Sequence, residues 1–85
     1  MRGKDGEDMR KEVVMPRVGM QIMTATVEKW HKNVGDMVEE REPLLIISSS
    51  MGKVELCSLL SGRLTEVVVG ESEETEVGSV IAWIE

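Results

Sequence analysis

The sequence has no tyrosine and no phenylalanine, and only two tryptophans, one cysteine and one histidine in 85 residues. A single cysteine excludes an intramolecular disulfide, so no covalent staple closes the fold. One histidine and one cysteine cannot supply the four nitrogen or sulfur ligands of a structural zinc site. Positive charge is scarce too: 10 Lys/Arg against 16 Asp/Glu give a formal net charge of −6. Phosphate backbones are held by clustered Lys/Arg, so nucleic acid is not an expected partner. No apolar run approaches the ~20 residues of a membrane span. No charged-then-apolar N-terminus resembles a signal peptide. The expectation is one small soluble domain in the cytoplasm, or in an equivalent reducing compartment such as the mitochondrial matrix. A domain of this size buries roughly 60–65% of its unfolded surface, so its stability is modest.

Residues 1–11 differ from the rest in being almost wholly charged or glycine. Such a segment buries too little apolar surface to offset its ordering entropy, which predicts a disordered tail before a domain over 12–85. The acidic excess lies late: residues 54–85 hold seven Glu and one basic residue, Arg63.

The dominant pattern is β. Short runs of Val, Ile, Leu and Thr end at Gly, Pro or Ser. Strands are expected at Glu12–Met15, Thr24–Lys32, Met37–Val38, Leu44–Ser48, Lys53–Cys57, Arg63–Val69, Glu76–Val77 and Val80–Glu85. In the fifth, Val54 and Leu56 oppose Lys53 and Glu55. In the sixth, Leu64, Glu66 and Val68 oppose Thr65, Val67 and Val69. No segment has a helical period, and many short strands at close spacing indicate a β-sandwich or barrel. A weak repeat at an offset of 37 residues aligns Val27 with Leu64, Trp30 with Val67, Asp36 with Glu73, Leu44 with Ile81 and Ile47 with Ile84. It implies two halves related by a pseudo-two-fold axis, each contributing one sheet. The segment between Ser48 and Lys53 then becomes the hairpin joining them.

Several motifs now resemble a known family. Met15-Pro16-Arg17-Val18-Gly19, Thr26-Val27-Glu28-Lys29-Trp30, Val34-Gly35-Asp36-Met37-Val38-Glu39 and Pro43-Leu44 are similar to the framework of lipoyl domains. Such domains occur in the acyltransferase component of 2-oxo acid dehydrogenase complexes, and biotinyl carrier domains share the architecture. Ser61-Gly62, Val77-Gly78 and Ile81-Ala82-Trp83-Ile84-Glu85 continue the match. The resemblance implies an all-β flattened barrel of two four-stranded antiparallel sheets with quasi-two-fold symmetry. It implies a non-catalytic carrier: a lysine at an exposed hairpin is acylated by a lipoyl or biotin ligase, and the arm visits partner enzymes. Lipoate is the implied group and biotin the less favoured one; no metal is implied.

The hairpin departs from the family pattern. Lipoyl hairpins read E-[ST]-D-K-A, whereas this chain reads Ser48-Ser49-Ser50-Met51-Gly52-Lys53. Counting forward from Pro43 or backward from Gly62 places Met51 at the attachment position, with Lys53 two residues late. Met51 and Gly52 suit the centre of a turn, because Gly accepts positive φ. Lys53 is the attachment candidate, with Ser49, Ser50, Met51 and Gly52 as the hairpin around it. A non-carrier docking module is the alternative. Ser72 replaces a glycine at the second acidic turn and must tolerate its backbone conformation.

Other chemistry has weaker support. His31, Asp36 and Ser48–Ser50 lack the oriented base and oxyanion loop of a hydrolytic triad. Cys57 reads as a small buried or half-buried hydrophobe without a basic partner. Glu71, Glu73, Glu74 and Glu76 read as a solvated acidic turn, since the spacing of a calcium loop is absent. The methionines, including Met20, Met23, Met37 and Met51, read as gap-fillers in a core without Phe or Tyr.

Overall fold

The computed structural model describes residues 10–85. The expected tail falls outside that range except for its last two residues. Arg10 lies over the Trp83 ring at 4.7 Å, and Lys11 already pairs with Ile84 in a strand.

The described residues form eight strands and no helix. They are β1 (Lys11–Val14), β2 (Thr24–Trp30), β3 (Met37–Val38), β4 (Pro43–Ser49), β5 (Gly52–Cys57), β6 (Gly62–Val67), β7 (Glu74–Glu76) and β8 (Val80–Ile84). Every expected strand is present, with ends shifted by at most two residues. Two four-stranded antiparallel sheets result, in the orders β1-β8-β6-β3 and β5-β4-β2-β7.

The expectation that each half supplies one sheet is corrected. Each sheet takes two strands from the first half and two from the second. Exchanging β1 with β5, β2 with β6, β3 with β7 and β4 with β8 converts one order into the other. The pseudo-two-fold axis therefore relates interleaved sheets.

The backbone shows why the halves interleave. The Val27 N–H donates to the Glu73 carbonyl at 2.9 Å, and the Ser72 N–H donates to the Val27 carbonyl at 2.7 Å. The Leu64 N–H donates to the Asp36 carbonyl at 2.9 Å, and the Gly35 N–H to the Leu64 carbonyl at 2.7 Å. These two sets are images of each other under the 37-residue offset. Each half's acidic turn is thus bonded to the other half's long strand, satisfying backbone groups that burial would otherwise strand. The turns are built alike. The Asn33 N–H donates to the Asp36 carboxylate at 2.8 Å, and the Gly70 N–H to the Glu73 carboxylate at 2.7 Å.

Bulges repeat with the same offset. The β2–β4 register shifts between Val27 and Lys29, and the β6–β8 register between Leu64 and Glu66. The second bulge corrects the expected alternation along β6. Leu64 is buried and Val67 packs on the core although they stand three apart, because the extra residue changes the parity. Leu44 and Leu45 are both buried, as are their counterparts Ile81 and Ala82. With Met15, Val27, Val38, Ile47 and Ile84 they fill the space between the sheets. Each large aliphatic side chain so buried contributes about 1.5–3 kcal/mol. Trp30 closes one edge, its indole N–H donating to the Val69 carbonyl at 2.9 Å.

Positive φ marks the repeat again. Gly35 (φ +99°) corresponds to Ser72 (φ +73°), and Arg41 (φ +74°) to Gly78 (φ +93°). Each turn has glycine in one half and a strained residue in the other. Replacing Ser72 by Gly relieves a Cβ clash and keeps the backbone hydrogen bond. Part of that gain is offset by unfolded-state entropy, so Ser72→Gly is expected to stabilise by about 0.5–1 kcal/mol. Thermal unfolding reads this as a rise of several degrees; an unchanged or lower midpoint would contradict the strain.

Lys32 and Glu42 join β2 to the chain entering β4, Nζ to Oε2 at 2.7 Å. The Lys32 hydrogen bond, with the Glu39 N–H, holds the Glu42 carboxyl below its ordinary value of 4.5. The same bond to Glu42 raises Lys32 above its ordinary 10.5. A depressed carboxyl stabilises fully above its unfolded value, and that contribution is lost as pH falls through the folded one. A raised amine loses its contribution only as pH climbs past 10.5. Glu42→Gln is therefore expected to shrink the stability loss between pH 4.5 and lower pH, read from urea midpoints across that range.

Candidate functional site: the β4–β5 hairpin

The hairpin pairs Ser49 with Gly52, Ser48 with Lys53, Ile47 with Val54 and Ile46 with Glu55. Its two-residue loop is Ser50-Met51, which corrects the expected centre of Met51-Gly52 by one position. The reason lies in Gly52, which has φ +114° while Ser50 and Met51 stay at negative φ. A turn with ordinary φ at both central residues needs a left-handed residue directly after it, and Gly52 supplies it. The Met51 N–H donates to the Ser49 hydroxyl at 3.1 Å.

Met51 therefore stands at the tip, 70% exposed. Lys53 lies back along β5, which is an edge strand of its sheet. Its side chain is 70% exposed, with Nζ 3.3 Å from Glu28 Oε1. Glu28 is the bulge residue of β2, two strands away, so Lys53 leans across the outer face of the sheet. Glu55 continues that row, its Oε2 being 3.2 Å from His31 Nε2.

Ser48, Ser49 and Ser50 line a shallow groove of about 490 Å³ with Gln21–Thr26 and Glu74. The Thr24 hydroxyl donates to the Glu74 carboxylate there at 2.7 Å. The groove's other wall comes from the loop between β1 and β2. A signal was available: Val18-Gly19-Met20-Gln21-Ile22-Met23 carries four apolar side chains outside any strand, of which Val18 packs on the core while Met20 and Met23 are exposed. The structure sets this loop against the hairpin, since a Cβ placed on Gly19 would lie 3.5 Å from Met51 Cγ.

Other expectations sort by position. The triad residues do not gather: His31 faces Glu55, and Asp36 accepts from the Asn33 N–H. The acidic turn is partly structural, with Glu71 accepting from the Trp30 N–H and Glu73 from the Gly70 N–H. Two expectations are corrected. Cys57 is exposed, because it ends the edge strand β5 with only one neighbouring strand. The methionines are not core filler as a group. Met15 is buried, but Met20, Met23, Met37 and Met51 are exposed, because Leu, Ile and Val already fill the space between the sheets.

The sequence profile of the biotin/lipoyl family, described as "Biotin-requiring enzyme", matches residues 11–84. The chain belongs to this family. Relatives include the dihydrolipoyllysine-residue acetyltransferase component of the pyruvate dehydrogenase complex of Corynebacterium glutamicum, 38% identical over 73 residues. That match covers 86% of this chain and 11% of the relative. The corresponding component of the acetoin cleaving system of Bacillus subtilis is 37% identical over 76 residues, covering 89% of this chain and 19% of that protein. The succinyltransferase component of the 2-oxoglutarate dehydrogenase complex of Bartonella vinsonii is 32% identical over 77 residues, covering 91% and 19%. The chain thus spans less than a fifth of the length of these relatives. In fold it resembles the lipoyl domain of the 2-oxoglutarate dehydrogenase complex of Azotobacter vinelandii. That likeness has a TM-score of 0.73 at 23% identity, over 87% of this chain and 94% of that one. The chain is a lipoyl-type domain similar to those of 2-oxo acid dehydrogenase acyltransferases, and its all-β double sheet is the family's fold.

The hairpin fits a lipoyl group in exposure and shape but not at its tip. Attachment requires an amine, and Met51 offers a thioether. Among the hairpin's residues the amine belongs to Lys53, on the strand rather than the turn.

Proposed function

We propose that the domain is a swinging-arm carrier module of a 2-oxo acid dehydrogenase acyltransferase. Its β4–β5 hairpin would be presented to a lipoyl ligase and to the partner enzymes of the complex. The observation that carries this reading is the open two-residue hairpin at the end of a lipoyl-type barrel. The names of the relatives, all lipoyl-residue acyltransferases, favour lipoate over biotin. Lys53 is the attachment candidate, being the one lysine of the hairpin and exposed. Ser49, Ser50, Met51 and Gly52 form the surface a ligase would meet. Lipoate when attached supplies the acyl-carrying and redox chemistry. The chain's own part is to hold an amine clear of the barrel. Glu28 is a weak hold on that amine, since exposed ion pairs contribute about 0–1 kcal/mol. The domain needs no catalytic group of its own, and the expected setting is the cytoplasm or the mitochondrial matrix.

Met51 at the tip favours a second reading. In it the barrel is kept, the anchor is lost, and the domain docks through its acidic surface without a cofactor.

Co-expression with lipoyl ligase and lipoate, and separately with biotin ligase and biotin, followed by intact mass, separates the two. The carrier reading expects a single lipoyl adduct that Lys53→Ala abolishes. No adduct in either arm overturns it. Under the second reading, Ser50→Asp with Met51→Lys gains the adduct that the unaltered chain lacks.

A further inference from the structure

We propose that β5 is an interface for a second copy of this chain, the two strands pairing antiparallel through their free edges with Val54 on the two-fold axis. Among the described residues four strands end a sheet: β1, β3, β5 and β7. β3 and β7 have two and three residues, too short to template another strand. β1 is broken by a register shift between Val13 and Val14. β5 keeps unbroken register on β4 from Gly52 to Leu56, contains no proline, and exposes every residue but Leu56. An open edge of this kind presents a row of backbone groups to any strand that fits it.

The direction of those groups follows from β2. The Val27 N–H and carbonyl are both bonded to the turn at Ser72 and Glu73, so they face away from β4. Its partner on β4, Ile47, therefore turns its own groups toward β5, where it pairs with Val54. These directions alternate along a strand. Lys53 and Glu55 thus aim their N–H and carbonyl groups out of the free edge, and only they can exchange hydrogen bonds with a second β5.

Charge selects the register. Charged residues usually guard an open edge, but here the signs alternate with the pleat. Lys53 and Glu55 lie on the outer face, beside Glu28 and His31. With Val54 on the axis, Lys53 stands opposite the partner's Glu55 and Glu55 opposite the partner's Lys53. An axis at Lys53 or at Glu55 would set like charges directly against each other. Val54, 41% exposed in one copy, meets the partner's Val54 on the other face. The ion pairs to Glu28 and His31 are solvent-exposed and weak, so they do not hold the two side chains back. One strand a side makes a small interface, and the dimer is a transient one. Removing the charge of Lys53, as acylation does, would release the copies. The interface does not rest on the carrier reading, and either survives the failure of the other.

The test uses the full chain with Cys57→Ser, which removes the exposed thiol. Sedimentation velocity up to millimolar concentration should show a monomer–dimer equilibrium. Lys53→Glu and Glu55→Lys should each raise its dissociation constant at least about tenfold, a change of about 1.4 kcal/mol. Both changes together restore opposite charges across the axis and should recover the dimer. In the same background, Val54→Cys should form a covalent dimer under glutathione disulfide, because a non-hydrogen-bonded pair sets its Cα atoms about 4.5 Å apart, within disulfide reach. That cross-link needs no charge reversal, so it decides the matter even where a reversed chain fails to fold. A chain monomeric at millimolar concentration, single reversals that dimerise unchanged, a folded double reversal that stays monomeric, or absence of the Val54→Cys cross-link would overturn the proposal.

Discussion

The structure depends on a reciprocal exchange of backbone hydrogen bonds. Val27 and Leu64 occupy equivalent places on β2 and β6, and each bonds to the acidic turn of the opposite half. A small barrel without a disulfide, and with few aromatics, has little else to hold its halves in register. The exchange ties each long strand to a turn distant in sequence, so neither half is complete alone. Paired bulges beside Val27 and Leu64 let each strand leave the exchange with its apolar residues still facing inward. The aliphatic core then adds energy to an arrangement whose register the backbone already defines.

That register reaches the hairpin. β4 is bonded to β2 from Thr26 opposite Ser48 to Trp30 opposite Leu45. β5 can only follow β4, and Gly52 with its positive φ is the residue able to stand directly after the turn. Bringing Lys53 to the tip would move Val54 and Leu56 along the ladder and leave Gly52 where its conformation is not needed. Met51 is at the tip because the framework at the other end of the barrel places it there. The same geometry sets Met51 beside the loop at Gly19.

Much of this was legible in the sequence, and the remainder has physical causes. The strands were readable because β-branched runs ended at Gly, Pro or Ser, and the 37-residue offset revealed the two halves. The offset could not show that the sheets interleave, since a repeat defines equivalence and not which half pairs with which. Alternation along β6 failed at its bulge because one inserted residue reverses the parity of all that follow. The centre of the hairpin was missed by one residue: glycine takes positive φ either within a turn or just after it, and sequence does not distinguish the two. Cys57 and the exposed methionines were misplaced for one reason. Apolar character gives a preference for burial, while an edge strand or a projecting loop leaves nothing to be buried against.

The functional account reduces to which residue the barrel holds at its exposed end. A carrier with a tip amine and a barrel with a tip thioether differ in what a ligase meets first. Proton–proton contacts across β4 and β5, measured by nuclear Overhauser effects in solution, decide this directly. The account predicts cross-strand contacts between Ser48 and Lys53 and between Ile46 and Glu55, with Ser50 and Met51 forming the loop. Contacts pairing Met51 with Val54 and Ser50 with Glu55 would put Lys53 in the turn and contradict it.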